Sequence, residues 1–213
     1  MLQPMRFEGL ALLSLLAVAQ GFTPSVHSSG SSSSVSARKP ATIGVVPEYV
    51  ALAGIQAGTL GATADMVSQR MSGAVELEHV AAMSLLACLL SGATNSVWMR
   101  HLEERFPGPS NRAVGFKTLC DYCFCATCFN AAFLIGVPWL TDLFAGGAPS
   151  IEDLPDGFTL DGFKSLMRLE ACTFVPYNTF AFRLLPTDLR PLGAASLSAV
   201  CTIVLSRVTL GMH

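Results

Sequence analysis

Charge is what this sequence has least of. Only 13% of its 213 residues are Asp, Glu, Lys or Arg, whereas 51% are apolar and the mean hydropathy is +0.51. A soluble domain carries roughly 25% charged residues to coat its outside, so this chain is poorly equipped to face water all round. A bilayer protein needs charge only at its loops. Basic residues are scarce as well, and a net charge of −2 excludes nucleic acid as a partner, because no basic face is present to meet phosphate.

Catalytic signatures are also missing. The chain has no Gly-rich phosphate loop, no His-Glu-x-x-His, no Gly-x-Ser-x-Gly and no pair of intramembrane aspartates at one depth. A cysteine nucleophile would have no base beside it. The expectation is therefore a protein that is not an enzyme and that needs no cofactor. Of its seven cysteines, Cys120, Cys123, Cys125 and Cys128 invite a metal reading. On a helix that turns roughly 100° per residue these four thiols fall on two faces, which rules out tetrahedral ligation and leaves small packing side chains.

No carboxylate occurs between Glu8 and Glu48. Residues 1–21 have a short polar start with Arg6, an apolar run from Leu10 to Ala19 and small residues at Ala17, Ala19 and Gly21, the anatomy of a signal peptide. That run is too short to cross a bilayer. Residues 22–40 are Ser-rich through Ser31, Ser32, Ser33 and Ser34, end in Arg38 and Lys39, and have the composition of a transit peptide. The junction Ala19-Gln20-Gly21-Phe22 resembles the phenylalanine-marked junction of bipartite plastid leaders in algae with complex plastids. The alternative is a plain Ser-rich linker behind a secretory signal. The expected location is an organelle membrane, first the plastid, with mitochondrial, peroxisomal and secretory-pathway membranes as alternatives.

What remains, residues 41–213, is dominated by long apolar runs. Four segments, 45–69, 80–99, 115–140 and 190–210, are long enough to span. A fifth, 163–185, has a helical pattern but carries Lys164, Arg168, Glu170, Arg183 and Pro176, so it lies at the interface, re-enters, or spans with a kink. The fold class expected is all-α: a multi-span helical integral membrane protein with about four transmembrane helices and one extra kinked or interfacial helix. The stretch 141–161, with Asp142, Glu152, Asp153, Asp156 and Asp161 among glycines and prolines, reads as an aqueous loop.

Ionisable groups inside a span are costly and should meet a partner or a water-filled cavity. Asp65 and Gln69 are four apart and share a helical face; they read either as a polar lock between helices or as pore lining. Lys117 and Asp121 are also four apart and are expected to pair with each other. Gly54 and Gly58 form Gly-x-x-x-Gly, with Gly61 following, a surface for close helix packing that would also suit a homo-oligomer. Trp98, beside Arg100 and His101, reads as an interfacial anchor.

These residues stand in an order that resembles the Mpv-seventeen family, also called the twenty-two-kilodalton peroxisomal membrane protein family, over about residues 47–208. The resemblance rests on Gly61, Asp65 and Gln69 in the first span, and on Gly92, Trp98, Leu102 and Phe106-Pro107-Gly108 in and after the second. It continues through Lys117 and Asp121 to Phe182, Leu185-Pro186, Arg190 and Leu205-Ser206. Departures from the family pattern are Ala93, Ser96, Met99, Tyr122, Ala181 and Cys201. The resemblance implies four spanning helices in an organelle membrane and a channel for small solutes or metabolites, linked to metabolite and redox homeostasis. It makes Asp65, Gln69, Lys117, Asp121 and Arg190 the expected borders of a polar path, with Gly54, Gly58, Gly61 and Gly92 at helix contacts and the bilayer and small solutes as partners. The alternative is a non-conducting scaffold that gathers partner proteins through Gly54, Gly58 and the acidic loop.

Overall fold

The computed structural model describes residues 46–150 and 159–211, with side chains through 204. The expected leader, residues 1–40, lies outside the described residues, as do Glu152, Asp153 and Asp156 of the acidic loop. Among the described residues every regular element is helical. We label the five long helices α1, Glu48–Ser72; α2, Leu77–Arg105; α3, Asn111–Phe144; α4, Leu160–Leu184; and α5, Arg190–Gly211.

Helix boundaries follow local chemistry. Pro47 precedes α1, where a missing N–H costs nothing, and Gly73, in the left-handed region at φ 110°, ends it by donating its N–H to the Gln69 carbonyl. The Ser110 side chain caps α3 by accepting from the Ala113 amide, and the Thr159 side chain caps α4 from the Gly162 amide. Neither Pro138 in α3 nor Pro176 in α4 ends its helix. The expected break at Pro176 does not occur: α4 runs unbroken for 25 residues.

α1, α2 and α3 are long and apolar enough to cross a membrane. At about 1.5 Å per residue each exceeds the roughly 30 Å hydrocarbon thickness. Their outward faces bear Leu52, Ile55 and Met66 on α1, Leu85, Leu89 and Val97 on α2, and Leu119 and Phe124 on α3, all exposed. In water such a contiguous apolar surface would be a liability, whereas lipid would cover it without cost.

α1 packs between α2 and α5, the first half of α2 lies on the second half of α3, and the first half of α3 meets α4. The α1–α2 contact is made by small residues. A Cβ on Gly92 of α2 would lie 2.5 Å from the Gly54 Cα of α1, and one on Gly58 would lie 3.1 Å from the Cys88 Cβ. Ser84 adds a hydrogen bond of 3.1 Å to the Gly58 carbonyl. The Gly54–Gly58 surface is thus packed against the chain's own second helix.

Both α2 and α3 widen into π-helical turns, at Ala87–Thr94 and Asp121–Ala126. Such turns insert a residue into the helical register and re-aim the side chains around them. Ser91 and Asn95 on α2, and Asp121, Cys125 and Ala126 on α3, all face one interior cavity.

Candidate functional site: a polar cavity between two locks

The cavity holds about 340 Å³ and is bordered by all five helices. It is long and narrow. α2 lines it from Met83 to Met99 and α3 from Asp121 to Val137, each a rise of about 24 Å at 1.5 Å per residue. Most of the wall is apolar, and the polar groups in it are two carboxylates, Asp121 and Glu170, with the amides of Asn95, Asn130 and Asn178 and a few hydroxyls. Among the described residues no Lys, Arg or His borders it.

Asp121 sits at one end of this space. Its Oδ1 accepts from the Trp98 indole N–H at 2.9 Å, and its Oδ2 accepts from the Asn178 amide at 2.6 Å, so a single carboxylate ties α3 to α2 and α4. Both donors neutralise part of the cost of holding an anion in a nearly dry site. Trp98 is therefore not a free interfacial anchor: its polar edge points inward to Asp121, because a buried indole N–H must find an acceptor. Glu170 reaches the cavity from α4, with the Asn130 side chain of α3 beside it.

One helical turn beyond Asp121 lies Lys117, which has no exposed surface. It does not pair with Asp121 as expected. Its ammonium donates to Glu103 Oε2 at 2.6 Å and to the Gly108 carbonyl at 3.1 Å. Arg190 donates to the same Glu103 oxygen at 2.7 Å and to the Leu185 carbonyl at 3.0 Å. Glu103 also accepts from the Gly108 amide at 3.1 Å, which the chain can present because Gly108 adopts φ 86°, closed to most side chains. The Phe182 ring lies near both cations. One carboxylate thereby joins α2, α3, α5 and the turn after α2. Alongside it, Arg100 pairs with Asp188 at 2.5 Å.

The opposite end is closed by a second set. Asp65 Oδ2 accepts from the Gln69 amide at 2.7 Å and contacts His79 Nδ1 at 2.9 Å, while Gln69 Oε1 accepts from the Glu76 amide at 2.6 Å. This lock holds α1 to the start of α2 across the turn at 73–76.

The two locks frame the cavity closely. His79 stands one turn before Met83, Glu103 one turn after Met99, and Asp65 follows the lining residue Ala64. Of the five residues expected to border a polar path, only Asp121 lines it. Asp65, Gln69, Lys117 and Arg190 hold its ends. Sequence reasoning missed Glu103, His79, Asn95 and Asn178. The two amides carried a usable signal, since each interrupts an apolar run where an unpaired polar group is costly. Glu103 and His79 lie in charged helix ends that read as solvated.

Comparison of the chain with family models, with curated proteins and with solved structures finds no match.

Proposed function

We propose that this protein is an integral membrane bundle whose central cavity is the path of a channel for small polar solutes. One observation carries the reading: a narrow cavity with carboxylates and amides runs along the bundle axis inside a molecule whose outer helix faces are apolar. Asp121 ties three helices together, but it and Glu170 also face the cavity, where the cost of at least about 2.5 kcal/mol for each charge on insertion scales favours a water-filled space. The length of the cavity, about 24 Å along α2 and α3, approaches the hydrocarbon thickness of roughly 30 Å.

α1, α2 and α3 supply three spans in this reading, and α5 is the fourth, since it packs along α1. α4, with Lys164, Arg168, Glu170 and Arg183, is the extra helix that brings acid and amide to the path. The resemblance to the Mpv-seventeen family supports the same assignment and an organelle membrane as its location. In this reading the two locks lie just beyond the ends of the path.

The scaffold alternative keeps the acidic loop as a contact surface, while Gly54 and Gly58 already pack on Cys88 and Ser84. Efflux from liposomes tests the proposal. Vesicles containing the purified chain should release a small polar solute and retain a large dextran, and Ala57→Phe, which fills the cavity from α1, should slow release. Equal retention of both solutes by vesicles that contain folded protein contradicts a conducting path.

A further inference from the structure

One polar side chain in the cavity lacks the partner that burial demands. Asn178 is 4% exposed, its amide N–H is spent on Asp121, and its Oδ1 has no hydrogen bond. Asn95, just after the π-helical turn of α2, lines the same space. A buried amide oxygen without a partner is costly, and a bound donor would recover that cost. The acceptor on Asn178 and the carboxylates of Asp121 and Glu170 call for a ligand that donates hydrogen bonds and carries positive charge.

The walls decide what kind of cation. Phe129 and Phe133 of α3 and Phe174 of α4 line the same cavity, Phe174 one turn from both Asn178 and Glu170. Aromatic faces attract a desolvated ammonium through their quadrupole and accept its alkyl part by apolar contact. A hard divalent ion needs six to eight oxygen ligands, and no group of three or more His, Cys, Asp or Glu stands together among the described residues. Anions are opposed by both carboxylates, with no cationic side chain among the described residues of the wall to offset them.

We infer that the cavity at Asp121 and Asn178 is a binding site for a small organic ammonium ion, its N–H groups on these oxygens and its alkyl body against Phe174 one turn along α4, with Glu170 a further turn on adding negative potential. This names the solute class of the conducting path proposed above and rests on that reading for its physiological use, although the binding site stands by itself.

Titration calorimetry on the full chain in lipid nanodiscs tests the inference, with n-butylammonium as probe and n-butanol and butyrate as neutral and anionic counterparts of the same length. Saturable binding of butylammonium, with neither counterpart binding, is expected. Asn178→Leu should weaken it about tenfold, the effect of losing one hydrogen bond to a charged group, and Phe174→Leu about fivefold, the worth of one desolvated cation–π contact. Circular dichroism on both variants establishes that the helices persist. Binding of butyrate instead, unchanged binding in both folded variants, or full displacement of butylammonium by an equal concentration of potassium would overturn the inference. Binding without current from the same preparation would uphold this site and remove the conducting reading. Current without binding would overturn this site alone.

Discussion

Lys117 and Glu103 meet at 2.6 Å across α3 and α2, and the lysine has no exposed surface while its partner keeps about a third of its own. The ammonium is held by one carboxylate and one backbone carbonyl, and the same carboxylate carries Arg190. The unequal exposure has an energetic consequence. Removing Glu103 strands two cations in a place with little water, whereas removing Lys117 leaves Glu103 still paired with Arg190.

Glu103→Gln should accordingly lower stability by about 3–5 kcal/mol, the range for a buried charge left without its partner. Lys117→Met should cost clearly less, because its methylene stem is replaced by a similar apolar volume beside Phe182. Denaturant unfolding in detergent, followed by circular dichroism, gives both values. Equal losses would show that Glu103 serves the two cations no more than solvent does.

Gly92 and Gly115 provide a matched pair on neighbouring helices. A Cβ at Gly92 would collide with the backbone at Ala53 and Gly54, while one at Gly115 meets nothing within 4 Å. Gly92→Ala should therefore force α1 and α2 apart and cost more than about 2 kcal/mol, as overpacking against unyielding backbone does. Gly115→Ala should be neutral or stabilise by up to about 1 kcal/mol through helix propensity. Thermal melts of the two variants in one detergent decide the matter.

Asp65 belongs to the lock that joins α1 and α2 rather than to the cavity wall. Asp65→Asn should weaken the fold by about 1–3 kcal/mol through loss of a charge-assisted hydrogen bond, and leave the ion selectivity of any current unchanged. His79→Ala, which removes a contact to the same oxygen, should resemble it in direction. A change of selectivity in folded Asp65→Asn protein would return Asp65 to the path.

The helices were legible because apolar runs of spanning length leave few other choices, and the segments 45–69, 80–99, 115–140 and 190–210 each fall on a long helix. The ends were less legible. α2 continues past residue 99 through the charged stretch Arg100–Arg105, since Glu103 and Arg100 find partners on other helices. Pro176 suggested a break that neighbouring helices and side chains evidently absorb. For the site, four-residue spacing correctly joined Asp65 to Gln69, where both partners share a helix. The same rule misled at Lys117 and Asp121, whose partners lie on other helices at separations no local pattern reveals. The π-helical turns that aim Asn95 and Asp121 into the cavity leave no mark in a 3.6-residue periodicity.

The central claim, that the axial cavity conducts and that its carboxylates meet the solute, is tested most directly by the reversal potential of single channels in planar bilayers under a potassium chloride gradient. The wild-type chain should give discrete currents with a reversal potential on the cation side, and Glu170→Gln should move it toward zero while Asp65→Asn does not. A silent bilayer holding correctly folded protein, or a selectivity indifferent to Glu170, would contradict the account.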